Sequence, residues 1–366
     1  MRVRLQEGPL KQIESEIIEE AFNMRMRGRD SLKNILVTGA NGQLGTSLAL
    51  MANSNDANFF FTDVDTLDIT DYKAVRNFMK ANHIDIVINC AAYTNVDRAE
   101  DDRELAFKIN AEAPGNLAKA CRIGNAALIH ISTDYVFGRE RSTLPRTEEV
   151  KPSPSGVYGE SKLEGERRII AELEGDGMMA SDLKGISKTV APKKAGISLQ
   201  NAESRRSSVS QKQADMARYA IIRTAWLYSE YGKNFVKTML GLFSTRDKLN
   251  VVFDQVGTPT YAGDLAAVVY RIAVEMACGV FRKVDNGIYN FTDEGVCSWF
   301  DFATAIAELS GSNCKVMPCH SDEFPSKVKR PNYSVLDKSK IKQRFQIEIP
   351  HWRESLRICV KALNNR

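Results

Sequence analysis

The sequence predicts an α/β protein built on a doubly wound parallel sheet, and three features of the chain carry that prediction. Short, nearly continuous apolar runs alternate with longer segments of helical period. A glycine-rich turn, Gly39-x-x-Gly42-x-x-Gly45, directly follows the first such run, and an acidic residue, Asp63, closes the second. Apolar runs of this kind belong to strands covered on both faces, and strand–helix–strand alternation makes the sheet parallel. The expected strands are 34–38, 58–62, 85–91, 127–132 and 219–224. After about residue 229 the alternation breaks, with helices expected over 234–243 and 299–309 and strands near 250–253 and 287–291. These read as a smaller C-terminal lobe that the chain enters and leaves more than once, with about 254–273 returning to the nucleotide-binding domain. The expected division is an extension at 1–32, a Rossmann-type nucleotide-binding domain at 33–228, and a mainly substrate-binding lobe at 229–366.

Two stretches fall outside this pattern. Within 10–26, Ile13, Ile17, Ile18 and Phe22 recur at near-helical spacing, which predicts an amphipathic helix that docks on a partner or on the body. The alternative is an extension translated from an upstream start codon. Residues 172–217 are rich in Ser, Lys, Ala and Gly, include Ser204-Arg205-Arg206-Ser207-Ser208, and keep no period, as expected of a disordered surface insertion.

Composition narrows the class. With 43% hydrophobic residues the chain can bury a sizeable core, and a net charge of +4 is mild for 366 residues. Without a basic stripe carrying interleaved aromatics, nucleic acid is not an expected partner. No apolar run approaches the ~20 residues that span a bilayer. The N-terminus lacks an apolar signal core. Seven cysteines without framework spacing suggest reduced thiols and a cytoplasmic protein. Cys314, Cys319 and His320 cluster, but no second ligand pair follows, so no metal site is expected.

The glycine turn predicts a nucleotide cradle. Glycines there permit a tight turn and let the N–H groups of a helix start, including those of Gln43 and Leu44, approach a pyrophosphate. Asp63, about twenty residues on, suits the adenosine ribose 2′-OH and repels a 2′-phosphate, favouring NADH over NADPH. Asp68 and Ile69 lie where an adenine edge could be read, or form an ordinary turn before a helix. Ala91, Ala92 and Tyr93 end the third strand, where small residues let a cofactor pass close to the backbone.

The reacting end is predicted from Tyr158-Gly-Glu-Ser-Lys162. A tyrosine and a lysine four apart share a helix face, and a nearby ammonium favours the phenolate, so Lys162 is expected to lower the Tyr158 pKa. With the cradle upstream, the pair reads as the acid/base of a nicotinamide-dependent carbonyl reductase. Lys162 would also hold the nicotinamide ribose. Thr133, at the end of the fourth strand, can hydrogen-bond a substrate carbonyl; alone, Thr133 or Ser132 would be a strand-end cap. Pro152, Pro154 and Gly156 break any incoming helix and deliver Tyr158 to a helix start. Asn110, inside a helical segment, is either part of a water or lysine relay or a satisfied polar residue. His83, His130, His320 and His351 form no metal or triad pattern, and His130 reads as a packed, hydrogen-bonded strand residue.

The motifs TGANGQLG at 38–45, NCAAYTNVDRAE at 89–100, STDYVFG at 132–138, YGESKLEGE at 158–166 and RTAWLY at 223–228 carry a resemblance. So do Lys233-Asn234-Phe235, Gly257-Thr258-Pro259-Thr260 and Arg330-Pro331-Asn332-Tyr333-Ser334. Together they resemble the extended short-chain dehydrogenase/reductases, and within them the dTDP-4-dehydrorhamnose reductases, from about residue 33 to the C-terminus. The resemblance implies reduction of the C4 ketone of a dTDP-4-keto-6-deoxy sugar by NADH or NADPH, in dTDP-rhamnose biosynthesis. It implies Tyr158 as proton donor, Lys162 on the nicotinamide ribose, and Thr133 tuning the tyrosine or the carbonyl. It further implies Asp134 beside the substrate, Trp226 packed on the sugar and Arg330 on the diphosphate. A homodimer stays open. The insertion and the extension depart from the family pattern.

Two other readings share these residues. A sugar-nucleotide dehydratase or epimerase would need a second carboxylate after Asp134, where Tyr135 stands. A non-catalytic nucleotide-binding regulatory subunit of the same fold would not need the intact Thr133, Tyr158 and Lys162 set.

Overall fold

The computed structural model describes residues 32–52, 57–140, 142–175, 218–324, 327–328 and 330–365. The helix expected over 10–26 and residues 176–217 of the expected insertion lie outside the described residues. Residues 172–174 finish the helix Val157–Glu174.

Among the described residues, strands β1 (Lys33–Thr38), β2 (Ala57–Thr62), β3 (Ile86–Asn89), β4 (Ala127–Thr133), β5 (Tyr219–Thr224) and β6 (Gly287–Asn290) form one parallel sheet, in the order β6-β5-β4-β3-β1-β2. Alternation within each strand divides its side chains between two cores. Ile35, Val37, Ile86, Ile88, Ile129 and Ile222 face the helices Gln43–Met51 and Ala262–Cys278. Leu36, Val87, Leu128 and Ile221 face Val75, Met79, Leu117, Ile169 and Leu173, carried by the helices Tyr72–Ala81, Ala113–Gly124 and Val157–Glu174. Each such side chain contributes roughly 1.5–3 kcal/mol on burial, which is why both faces of the strands are apolar.

Local chemistry sets the boundaries. Asp71 caps its helix by accepting the Lys73 and Ala74 N–H groups. Asn125, left-handed at φ 56°, ends the helix before β4. Ser298 and Asp301 form a reciprocal capping box at the start of Trp299–Ser310.

The structure departs from the sequence reading at β6. The segment near 287–291, expected in the smaller lobe, pairs with β5 as the sixth strand of the main sheet. A short run bounded by glycine carries no signal for which sheet it joins; the parallel pairing with β5 decides. A separate core holds the rest of the C-terminal part: Val236, Met239, Phe243, Leu249, Val251, Phe302, Ile306, Trp352 and Leu356. Strand Lys248–Val252 pairs there with strand Lys315–Cys319.

Two carboxyl groups are buried where the two parts meet. Asp264 is 2% exposed and takes a hydrogen bond from Ser355 (2.5 Å); Asp293 is fully buried and accepts the Tyr261 N–H through Oδ2 at 3.0 Å. Burial raises both, Asp293 the more, because the neighbouring Asp264 charge adds to it. Asp293 Oδ1 meets no donor, so a proton held there and shared with Asp264 satisfies it. A carboxyl whose folded pKa is raised gives stability that is fully present below its unfolded pKa and is lost as pH rises through the folded one. Asp293→Asn keeps an acceptor for Tyr261 and a donor for Asp264. In thermal melts, the wild-type melting temperature should therefore fall between pH 5 and pH 8 relative to Asp293→Asn. Parallel curves for the two proteins would refute the shared proton.

Candidate active site

The cradle forms where β1 runs out. Gly39 takes φ +66°, and a Cβ there would stand 2.6 Å from the Ala91 backbone nitrogen. A Cβ on Gly45 would stand 2.4 Å from the Gly39 carbonyl oxygen. Only glycine lets the turn lie this close to the end of β3 and to the helix it opens. Gly42 caps Gln43–Met51 without a side chain, and no acidic residue occupies the first turn. Open N–H groups at the positive end of a helix, in a turn stripped of side chains, fit a dinucleotide pyrophosphate.

The expected cofactor residues divide by which atoms remain available. The Gln43 side chain is engaged, with Oε1 accepting from Ser229 and Asn234 (both 3.0 Å) and Nε2 donating to the Leu227 carbonyl (3.3 Å). Leu44 is buried in the core. Both thus offer only backbone N–H groups to a ligand. Asp63 lies beside the turn, its carboxylate held by the N–H groups of Asn41 (2.9 Å) and Val64 (2.8 Å). Asp68 accepts the Thr70 N–H at 2.8 Å, which keeps its carboxyl below the usual range, and its carbonyl takes the Asp71 N–H. This is the turn before a helix; the Ile69 side chain goes into the core beneath it. Strand β3 stops at Asn89, so Ala91, Ala92 and Tyr93 lie on the loop beyond it.

Tyr158, Lys162, Glu166, Ile169 and Leu173 form one stripe of the helix Val157–Glu174, at three- and four-residue spacing. Its lower part is apolar and packs on the sheet; its upper part brings Tyr158 and Lys162 to the carboxyl ends of the strands. Lys162 is 1% exposed, and its Nζ donates to the Ile131 carbonyl at 2.6 Å. Burial pushes it down to about 8, against the opposing charges of Glu166 and Cys90.

The expected lowering of Tyr158 is corrected. Burial pushes the phenol up to about 12, a hydrogen bond with Thr133 opposes this, and the Asp134 charge adds to it. Lys162 does not offset the rise; its Nζ bonds the Ile131 carbonyl instead. Thr133 Oγ1 accepts the Tyr135 N–H (3.2 Å) and donates to Asp134 Oδ1 (3.1 Å), so the hydroxyl caps the short helix Asp134–Val136 and also faces Tyr158. Asp134 is pushed up to about 7 by burial, against hydrogen bonds from Thr133 and Ser334. Tyr135 packs edge-on against Tyr158 with ring centroids 5.4 Å apart. A Cβ on Gly159 would stand 2.2 Å from the Tyr135 carbonyl oxygen, so only glycine lets the helix start come this close.

Thr133, Asp134, Tyr158 and Lys162 are thus brought together. Trp226 follows β5 at φ +49° and stacks on Trp299 with centroids 3.5 Å apart and planes 9° off parallel. Arg330 pairs with Asp97 at 3.5 Å, and its charge acts on Tyr135. Asn110 lies in a π-helical turn, Lys108–Glu112. Its amide accepts the Tyr93 N–H (2.8 Å) and donates to the Tyr93 carbonyl (2.9 Å) and Ser161 (3.1 Å), so it braces the Tyr93 loop against the helix.

Sequence reasoning missed Asn89, Glu166 and Arg223, and took His130 for a packed residue only. His130 is packed and hydrogen-bonded, and the group it faces is Lys162 (3.3 Å). Glu166 and Arg223 form a buried ion pair at 2.7 Å, with Ser132 donating to Glu166 at 2.5 Å. The available signal was a polar residue near the carboxyl end of each otherwise apolar strand.

Comparison with known proteins agrees with this geometry. The family model described as the RmlD substrate binding domain matches residues 33–177 and 204–365. The chain belongs to that family. It is 36% identical, over 89% of its length and 98% of the relative, to dTDP-4-dehydrorhamnose reductase of Aggregatibacter actinomycetemcomitans. It is also similar to the crystal structure of a dTDP-4-dehydrorhamnose reductase from Clostridium acetobutylicum, at 38% identity and TM-score 0.74, covering 90% of this chain and 99% of that one. The Bacillus anthracis dTDP-4-dehydrorhamnose reductase, solved in complex with NADP, is 31% identical with TM-score 0.73, covering 91% and 100%. Family membership fits a sheet whose switch between β1 and β3 opens beside a glycine turn.

Arg223→Met leaves the Glu166 charge buried without its partner. Urea unfolding should show a loss on the order of 3–5 kcal/mol, and the double variant Glu166→Met/Arg223→Met should recover most of it. A double variant no better than the single would mean that the pair is not the source of the loss.

Proposed function

We propose that this protein reduces the C4 ketone of dTDP-4-dehydro-β-L-rhamnose to dTDP-β-L-rhamnose, a step of dTDP-rhamnose biosynthesis. The observation that carries the reading is Thr133, Tyr158 and Lys162 gathered at the carboxyl ends of β4 and its neighbours, beside the glycine cradle, in a chain of the RmlD family. A nicotinamide dinucleotide held by the cradle of Gly39, Gly42 and Gly45 would supply the hydride.

The chain's own groups do the rest. Hydride addition to a ketone leaves an alkoxide, a far stronger base than a phenolate, so the proton donor must keep its proton until that charge develops. The Tyr158 phenol, raised to about 12, does so. Thr133 faces the same phenol, and its one hydroxyl proton, given to Asp134 in this structure, can turn to the carbonyl oxygen. Lys162 is assigned to the nicotinamide ribose, and Asp134 to the sugar beside Thr133. The smaller lobe is assigned to the nucleotide sugar, with the Trp226–Trp299 stack as a platform and Arg330 near the diphosphate, where a guanidinium suits bidentate contact. Elimination is disfavoured by Tyr135, whose phenol is itself pushed up by burial and cannot serve as a second carboxylate. Asp63 favours NADH, since its carboxylate suits a ribose 2′-OH and repels a 2′-phosphate.

The test follows oxidation of NADH and of NADPH with the 4-keto sugar nucleotide, by loss of reduced-nicotinamide absorbance. Tyr158→Phe should lower kcat by roughly 10²–10⁴-fold while cofactor binding persists. Asp63→Ala should shift the preference toward NADPH. Cofactor binding without turnover on any dTDP-4-keto-6-deoxy sugar would overturn the reading in favour of a non-catalytic subunit.

A further inference from the structure

Thr38, Asn89 and His130 lie on one rung of the sheet, Thr38 in register with Asn89 and Asn89 with His130. Their parity turns them toward the helix that carries Lys162, and all four residues are 1% exposed. Hydrogen bonds run along the rung. Thr38 Oγ1 donates to Asn89 Oδ1 at 2.8 Å, and the Ala91 N–H donates to the same oxygen at 3.2 Å. Asn89 Nδ2 lies 2.9 Å from His130 Nδ1, and His130 Nε2 lies 3.3 Å from Lys162 Nζ.

The direction of this chain follows from one group that can only donate. The Ala91 N–H fixes which end of the Asn89 amide is oxygen, so Nδ2 faces His130. Nδ2 also only donates, so His130 Nδ1 presents its lone pair. A ring with that lone pair is uncharged, and burial, the first cause holding its pKa down, favours the same form. A neutral imidazole with a lone pair on Nδ1 carries its proton on Nε2, and that N–H is directed at Lys162. An ammonium has no lone pair to receive it, whereas an amine has one.

We propose that Asn89 and His130 are positioning residues: they present an N–H to Lys162 Nζ and bias it toward the uncharged amine, with the Ile131 carbonyl taking one of its protons. The other groups facing Lys162 are Glu166 and Tyr158 on its own helix and Cys90 beyond β3. Glu166 and Cys90 favour the ammonium, so burial and the relay act against them. The consequence for turnover rests on reading Lys162 as the partner of Tyr158; the titration itself does not.

The test is a pH titration of cofactor-free protein labelled with ¹³C-lysine, followed by NMR, with the Lys162 signal assigned through Lys162→Arg. The wild-type midpoint is expected near 8. His130→Gln can accept from Asn89 and still donate to Lys162, so it should titrate with the wild type. His130→Leu removes the N–H and should raise the midpoint by roughly one unit. Asn89→Asp accepts from Nδ1–H instead, turns a lone pair toward Lys162, and should raise it as well. A His130→Leu midpoint at or below the wild type, or a Gln variant that follows Leu, overturns the relay. That result with ketone reduction intact leaves the reductase reading standing; the expected shifts without turnover would overturn the reductase reading alone.

Discussion

The buried pair of Glu166 and Arg223 is the constraint on which the site depends. Arg223 points from β5 toward the helix Val157–Glu174 and meets Glu166 through two nitrogens, while Ser132 of β4 holds the same carboxylate. Below this junction the helix is fixed by Ile169 and Leu173 in an apolar core, where small slides cost little chemistry. At the junction, a slide would strand a charge out of water, so the register of helix on sheet is set there. One turn above lies Lys162 and one turn further Tyr158. Their position at the strand ends follows from that register, together with Gly165 against the Asn110 carbonyl and Gly159 against Tyr135.

Dry surroundings then shape the chemistry. Burial acts on the acidic and basic members in opposite senses, raising Tyr158 and Asp134 and lowering Lys162. Tyr158 and Lys162, close in proton affinity in water, are driven apart, while Asp134 and Lys162 are brought together. A phenol that keeps its proton is suited to a donor, and a lysine near neutrality is sensitive to the hydrogen bond from His130. The cradle works differently, by removal of side chains: glycine at 39, 42 and 45 leaves backbone N–H groups, and Asp63 supplies the fixed charge beside them.

The sheet was legible because its strands are apolar on both faces and its helices carry stripes, so five of the six strands could be drawn from hydrophobic runs alone. The strand at 287–290 was legible as a strand too, but its short run says nothing of which sheet it joins. Among the site residues, Gly39, Tyr158 and Lys162 announce themselves through spacing within one turn or helix. His130 was visible as a polar residue in a strand but not as a neighbour of Lys162, since the contact joins positions thirty-two apart across a strand and a helix. Asn89 and Glu166 were hidden for the same reason.

Fold class, the glycine turn and the tyrosine–lysine spacing can be read along the chain, because periodicity and short-range spacing are properties of the chain. The sign of the Tyr158 shift, the tautomer of His130 and the place of β6 come from the folded molecule. Each of these depends on what lies across a gap in space: a carbonyl that receives the lysine, an N–H that orients an amide, a strand edge left unpaired. Desolvation and hydrogen-bond direction exist only once the chain has closed around a group, so no spacing along the chain encodes them.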